Sequence, residues 1–351
     1  MKLIVQPDHG VEPVLSAIDK AKKSLDLLIF RLDIKDVVTG IEAAVKRGVA
    51  ARALIAHTNK GGEKALRKLE TRLLAAGVTV SRTAESLVRY HGKMLVVDAR
   101  AVYVNGFNFT WLDMERSRSF GIVSTAPRLV KEAVKLFQAD CDRQPYDSGC
   151  EQLVVSPENA RTRLTAFIKA AKKQLLIYDP NVGDQRMLRL LVERQKAGVD
   201  VRIIGKVGAR TTLTAQKFPG KRLHVRAIMR DGSKAFVGSQ SLRALELDRR
   251  REIGVFVAES TIVRKMVAVF EEDWAKTPAG EAAAKAAAAA PATGKDAKDK
   301  DAKDAKNAKD AKDAKDAKDA KDAKDKDAKE KDARQKDPKA KDKAEAEAVP
   351  A

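Results

Sequence analysis

Four histidines occur in the 351-residue chain, and two of them, His91 and His224, head the same pattern 133 positions apart. Each is followed two residues on by a cation, Lys93 or Arg226, and seven residues on by an acid, Asp98 or Asp231. The same spacing pairs Asn108 with Ser241 and Ser119 with Glu252. A repeated core strand needs only its apolar residues to return, so the return of a histidine, a cation and an acid points to a site. An imidazole beside a fixed positive charge can attack an anionic centre or pass it a proton. On a strand, period two puts His91 and Lys93 on one face and Gly92 on the other. Asp98 then opens a tight connection to the apolar run 101–104, and the polar stretch 105–108 ends that run. Two adjacent strands therefore bring His91, Lys93 and Asn108 to one end of a sheet.

These residues resemble the H-x-K-x4-D-x6-G-S/G-x-N signature of the phospholipase D superfamily, which most members carry twice. The first copy fits at His91, Lys93, Asp98 and Asn108, with Asn105-Gly106 where Gly-Ser is usual. The second fits at His224, Asp231, Gly238 and Ser239, with Arg226 in place of lysine and Ser241 in place of asparagine. The stretch 249–254 is similar to the family's downstream acidic element and supplies Glu252; the first half lacks that acid because Ser119 stands there. The resemblance covers roughly the first 277 residues.

The resemblance implies an α/β fold of two α/β/α repeats packed about a pseudo-twofold axis, each giving one histidine to a shared cleft. One histidine then attacks a phosphodiester to form a phosphohistidine. The other protonates the leaving oxygen and activates the incoming water or alcohol, with no metal or other cofactor required. The implied catalytic set is His91, Lys93, Asp98, His224, Arg226 and Asp231; His91 is assigned as nucleophile, and the exchange of roles stays open. Asn108, Ser239 and Ser241 would hold phosphoryl oxygens, and Glu252 would orient a histidine. Asp98 and Asp231 have the alternative of fixing the strand connection. The leading activity is a phospholipase D-type phosphodiesterase or transphosphatidylase acting on phospholipid headgroups. A metal-independent nuclease of the same fold and a non-catalytic phosphate-binding protein are the alternatives.

Charge divides the chain before any motif is needed. From position 281 onward there are 20 Lys and Arg against 18 Asp and Glu, so nearly all of the formal +20 lies in the body. A basic body fits an anionic partner, whether a phospholipid, a membrane surface or nucleic acid, and does not choose among them. No run approaches the roughly 18 apolar residues of a spanning helix, and the first residues are too short an apolar run for a secretory signal. The expected protein is a cytoplasmic monomer, with a peripheral place on a membrane as an option. Cys141 and Cys150 are the only cysteines; an intracellular chain keeps them as thiols.

The elements that must position the histidines read as alternating strand and helix. In the first half the strands are expected at 3–5, 25–30, 50–56 and 78–81, with helices through Val14 and Ile18, over 37–46 and over 63–76. Gly48 is the expected stop of the second helix. His9 and His57 read as surface or internally satisfied residues. The second half repeats the order, but its offset falls from 150 at Arg52 and Arg202 to 133 at the histidines. The first half thus carries 17 extra residues, expected within 58–90, where they shape substrate entry. The expected division is a first repeat over 1–140, a connector over 141–152, a second repeat over 153–277 and a low-complexity tail over 278–351. The tail's Lys-Asp-Ala triplets hold nothing larger than alanine to bury, so a disordered, solubilising segment is expected there.

Overall fold

The period-2 and period-3.6 segments fold, in a computed structural model that describes residues 1–57, 63–220 and 222–289, into two mixed sheets with helices on their faces. The first repeat runs β1 (Lys2–Gln6), α1 (Glu12–Asp19), β2 (Ser24–Ile29), α2 (Lys35–Lys46), β3 (Ala50–Ile55), α3 (Glu63–Ala75) and β4 (Thr79–Arg82). It continues with β5 (Arg89–Tyr90), β6 (Met94–Val97), β7 (Ala101–Asn105), α4 (Trp111–Arg116), β8 (Ser119–Ser124) and α5 (Pro127–Asp142). The second runs β9 (Leu153–Ser156), α6 (Ala160–Lys169), β10 (Gln174–Val182), α7 (Gln185–Lys196), β11 (Asp200–Val207), β12 (Arg226–Arg230) and β13 (Lys234–Gly238). It closes with α8 (Ala244–Asp248), β14 (Arg250–Val257), α9 (Ser260–Ala275) and α10 (Pro278–Ala289).

The first sheet has the order β1-β8-β7-β6-β2-β3-β4, and the second keeps the same order as β9-β14-β13-β12-β10-β11. Among the described residues of the first repeat, α3 and β4 have no counterpart in the second, and both fall within the stretch where the extra residues are expected; residues 58–62 of that stretch lie outside the described residues. Gly48 and Gly198, at φ +88° and +84°, end α2 and α7 in the left-handed conformation that glycine adopts without steric cost. β2 pairs parallel with β3 and β10 with β11, and the consecutive buried apolar residues 27–29, 53–55, 175–177 and 203–204 mark the parts of these strands covered on both faces. One apolar cluster is shared by the two repeats, joining Leu28, Met94 and Phe120 to Leu176, Met229 and Ile253. Separate clusters under α1 and α2, and under α6 and α7, fill the outer layers.

The histidines are not on strands, contrary to the period-2 reading of H-x-K. His91 and Lys93 lie between β5 and β6, and His224 lies just before β12. The reason is that the chain leaves its own sheet there and satisfies its backbone on the opposite repeat. β5 runs parallel to β14, pairing Arg89 with Arg250 and Tyr90 with Arg251, and the Arg251 carbonyl accepts from the N–H of His91 at 2.7 Å and of Gly92 at 3.0 Å. The mirror-image crossing pairs Leu223 with Arg118, and the Arg118 carbonyl accepts from the N–H of His224 at 3.0 Å. Gly92 is the residue this crossing demands, since a Cβ there would lie 2.8 Å from Ile253 and 3.1 Å from Leu28.

Buried ion pairs fasten both crossings. Arg118 donates to Asp273 at 2.9 and 3.2 Å, and Arg251 donates to Asp140 at 2.9–3.1 Å. Each pair joins one repeat to the other, and both arginine and aspartate recur at the 133-residue spacing.

Residues Met1–Lys285 form one compact unit, so the two repeats share a body and the first residues of the expected tail belong to it. The Lys-Asp-Ala triplets lie outside the described residues. Cys141 and Cys150 are free thiols. No helix among the described residues is long and apolar enough to cross a membrane.

Candidate active site

Because each crossing delivers its histidine at the seam, the side chains of both motifs meet there. His91 Nδ1 lies 2.9 Å from Glu252 Oε2, an acid contributed by β14 of the other repeat. Lys93, fully buried, places Nζ 3.0 Å from both imidazole nitrogens and donates to the His91 carbonyl at 2.5 Å. Phe30 at the end of β2 packs edge-on against the His91 ring, with centroids 4.7 Å apart. The second histidine mirrors part of this. Arg226 Nη1 donates to the His224 carbonyl at 2.7 Å, as Lys93 does to that of His91, and its Nε lies 3.3 Å from Ser241 Oγ.

The acid beside His224 is Asp113, which the sequence reading missed. Its Oδ2 stands 3.5 Å from His224 Nδ1, an ion-pair distance longer than a hydrogen bond. Thr110 caps α4 by accepting from the Asp113 N–H at 3.3 Å, which turns the first turn of this short helix inward. The Asp113 carboxylate is then fixed by the backbone N–H and side-chain amide of Asn108, both at 2.7 Å, and by Arg222. So the first repeat does supply an acid, although Ser119 occupies the expected position. A signal was there: Asp113 and Glu246 stand 133 positions apart, an acid in both repeats, outside the stretch that the H-x-K pattern covers.

Several expected roles change. Asp98 and Asp231 are not brought to the histidines: each sits at φ near +50° in the turn at the far end of its strand. Asp98 accepts from the N–H groups of Lys22, Lys23 and Ser24, and Asp231 from those of Lys172, Lys173 and Gln174. Burial alone would raise both carboxyls, but these backbone donors win and hold them below the usual range. They fix the strand connection. Asn108 gives its amide to Asp113, and Ser239 exchanges hydrogen bonds with the Ile253 backbone and supports Glu252, so each helps hold an acid in place. Ser241 is tied to Arg226. His9 accepts from the Val5 N–H, and His57 pairs with Glu85 at 3.1 Å, both satisfied away from the motifs as expected.

The electrostatics favour neutral imidazoles. Burial pushes the His91 pKa well below its ordinary value, and Lys93, Arg226 and Arg250 push the same way, overriding Glu252. His224 is lowered likewise by burial, then Arg226 and Lys93. Burial brings Lys93 down to about 7 against the pull of Glu252, and raises Glu252 itself. A neutral imidazole that donates Nδ1–H to Glu252 carries its lone pair on Nε2, with Lys93 Nζ 3.0 Å away; released from that contact, it is the state a nucleophile or base needs.

The family model described as cardiolipin synthase, PLD-like domain matches residues 14–141 and 164–274, with one histidine motif in each stretch. The chain belongs to this phospholipase D-like family. Its fold is also that of solved members of the structural neighbourhood at low identity. Polyphosphate kinase from Porphyromonas gingivalis superposes at TM-score 0.65 and 16% identity, over 77% of this chain and 49% of that one. Phosphatidylserine synthase from Haemophilus influenzae superposes at TM-score 0.59 and 12% identity, over 78% and 85%. The chain thus spans about half the length of the polyphosphate kinase it matches. No curated protein sequence matches it. Members of the family are phosphodiesterases or transferases.

Asp113 provides a test of the site's asymmetry. Asp113→Asn keeps the Asn108 contacts in part but removes the charge facing His224. Turnover is expected to fall about tenfold or more. Asp113→Glu should recover part of it, and the nitrogen chemical shifts of His224 in labelled protein should move while those of His91 stay. Unchanged His224 signals would remove Asp113 from its role as the positioning acid.

Proposed function

We propose that the chain is a phospholipid phosphodiesterase or phosphatidyl transferase acting through a phosphohistidine, with His91 as nucleophile. The observation that carries this is the crossed arrangement in which each histidine meets an acid of the opposite repeat beside a buried cation. His91 Nε2 attacks phosphorus while the P–O bond to the leaving alkoxide breaks, and His224 gives that oxygen its proton. Neutral His224 then takes a proton from water or an alcohol, whose oxygen attacks phosphorus, and the P–N bond breaks to restore His91. Lys93 and Arg226 neutralise the non-bridging oxygens as charge builds, in a buried setting where such contacts count for most. Asp113 favours the protonated form of His224 needed for the first step, against burial and its cationic neighbours.

A lipid substrate is supported by the rim. Three of the four large apolar side chains exposed among the described residues, Val88, Trp111 and Leu112, immediately flank the first motif. Apolar side chains set among arginines match a lipid–water interface.

The test is product analysis on a panel of phospholipids and on single-stranded and duplex DNA, with EDTA present, followed by a pH profile on the preferred substrate. Headgroup release is expected from phospholipid and none from DNA. Cleavage of DNA alone would replace the lipid reading by a nuclease. Lys93 is charged below its pKa of about 7, so kcat/KM should be sustained below that pH and decline above it. Lys93→Arg should abolish that alkaline decline, since arginine stays protonated. A decline that persists in Lys93→Arg would assign it to another group.

A further inference from the structure

Beside His91, Lys93 shares its aromatic neighbour, Phe30, with two arginines that the two-step reaction does not use. The guanidinium carbons of Arg31 and Arg89 lie 5.5 and 5.4 Å from the Phe30 centroid, Lys93 Nζ lies at 5.4 Å, and the His91 ring touches the same aromatic. Arg89 is also the β-partner of Arg250 in the crossing strand, so two like charges stand directly opposite each other. Such pairs are unfavourable unless something anionic lies between or beside them. Arg250 has carboxylates to answer it, Glu246 at 2.9 Å and Glu252 at 4.0 Å. Arg89 has no such ion pair among the described residues; Glu252 and Glu246 act on it only from a distance, and its close neighbour is the Phe30 ring. Burial and the charges of Arg250 and Arg31 lower its pKa, in keeping with a cation held among cations.

A cation kept half-buried next to a reactive histidine, without a counter-ion, costs stability that an anionic ligand returns. Arg89 is held in place by β5, not by a ligand-independent salt bridge, so the crossing that delivers His91 also delivers this charge. Its other side borders a cavity of about 210 Å³ shared with His57, Thr83 and Leu87, whose one carboxylate, Glu85, is engaged by His57. There is room there for a group larger than a single bound oxygen. The second repeat has an arginine at the equivalent position, Arg222, but that one is neutralised by Asp113. The anion-ready position is therefore on the His91 side only.

We infer that Arg89, beside Phe30 and opposite Arg250, forms the core of a second anion subsite, and that the substrate carries a further phosphate next to the phosphodiester attacked at His91. This rests on the phosphodiesterase reading for its context and deepens it: a lipid or other phosphodiester with two neighbouring phosphates is preferred over one with a single phosphate.

Binding separates the subsite from catalysis. Calorimetric titration of the full chain with orthophosphate and with pyrophosphate is expected to show pyrophosphate binding about tenfold tighter, the scale of one added charge-assisted contact. Arg89→Gln should cut the pyrophosphate affinity at least about fivefold more than the orthophosphate affinity, and Arg89→Lys should retain part of the preference. Equal affinities in the wild type, or a preference untouched by Arg89→Gln, overturns the subsite even if the protein turns over phosphodiesters. A preference lost in Arg89→Gln upholds it even if no turnover is found. Displacement of pyrophosphate by vesicles holding phosphatidylinositol 4-phosphate, and not by phosphatidylinositol vesicles, identifies a lipid as the source of the second phosphate. Displacement by tetrathymidylate instead identifies a nucleic acid strand. Circular dichroism of both variants confirms that the crossing strand is intact, and the wild-type comparison stands without them.

Discussion

His91→Ala and His224→Ala are each expected to lower turnover by about four orders of magnitude or more, since groups that act in sequence on one phosphorus fail together. The two losses differ in kind. With a nitrophenyl leaving group, which needs little protonation, His224→Ala should still form the P–N bond and then stall. Intact-mass measurement should find that variant carrying the phosphoryl fragment, and His91→Ala should carry none. The opposite labelling would exchange the two roles. Near wild-type rates in either variant would break the shared-site reading altogether, because His91 and His224 each receive their acid from across the seam.

Arg226 carries the second large effect. It is the main departure from the phospholipase D-like pattern, and its place in the site decides whether that departure matters. The guanidinium reaches the His224 carbonyl at 2.7 Å, as Lys93 reaches that of His91 at 2.5 Å. Arginine has therefore taken over a lysine position without leaving it. On the proposed mechanism, Arg226→Ala removes a part-buried charge whose hold on the phosphoryl oxygens strengthens in the transition state, and turnover should fall about a hundredfold or more. Arg226→Lys keeps the carbonyl contact, as Lys93 demonstrates, and loses the one to Ser241. Its turnover is expected within about tenfold of wild type. If both variants match wild type on a chromogenic phosphodiester, with folding verified by circular dichroism, Arg226 has no part in the chemistry.

Much of this architecture was legible in the chain because it is written twice. The fixed spacing located both histidines, both cations and Glu252, and the shift in spacing located the segment that carries α3 and β4. The sequence was silent where a contact crosses between repeats. A period-2 pattern cannot tell a strand that stays in its sheet from one that leaves it, so H-x-K read as regular strand. Asp113 was missed for a related reason: its partner His224 lies 111 positions away in the other repeat, and although Glu246 repeats the acid at the 133-residue spacing, that spacing alone does not say which acid turns toward a histidine. Asp98 and Asp231 were misplaced because invariance within a repeat marks structural turns as firmly as it marks reactive groups, and three backbone donors claim each of them.

The exchanged strands have a consequence for how such a site can be specialised. In an isologous dimer of a single repeat, any residue placed across the seam would appear at both ends, so the two imidazoles would be held in identical surroundings. Joining the halves in one polypeptide removes that constraint. Here one imidazole faces Glu252 and Lys93, the other Asp113 and Arg226, and the position opposite Glu252 has become a serine. Fusion thus lets otherwise twin halves hold their imidazoles in unlike surroundings, which is what the proposed split between attack and proton transfer requires.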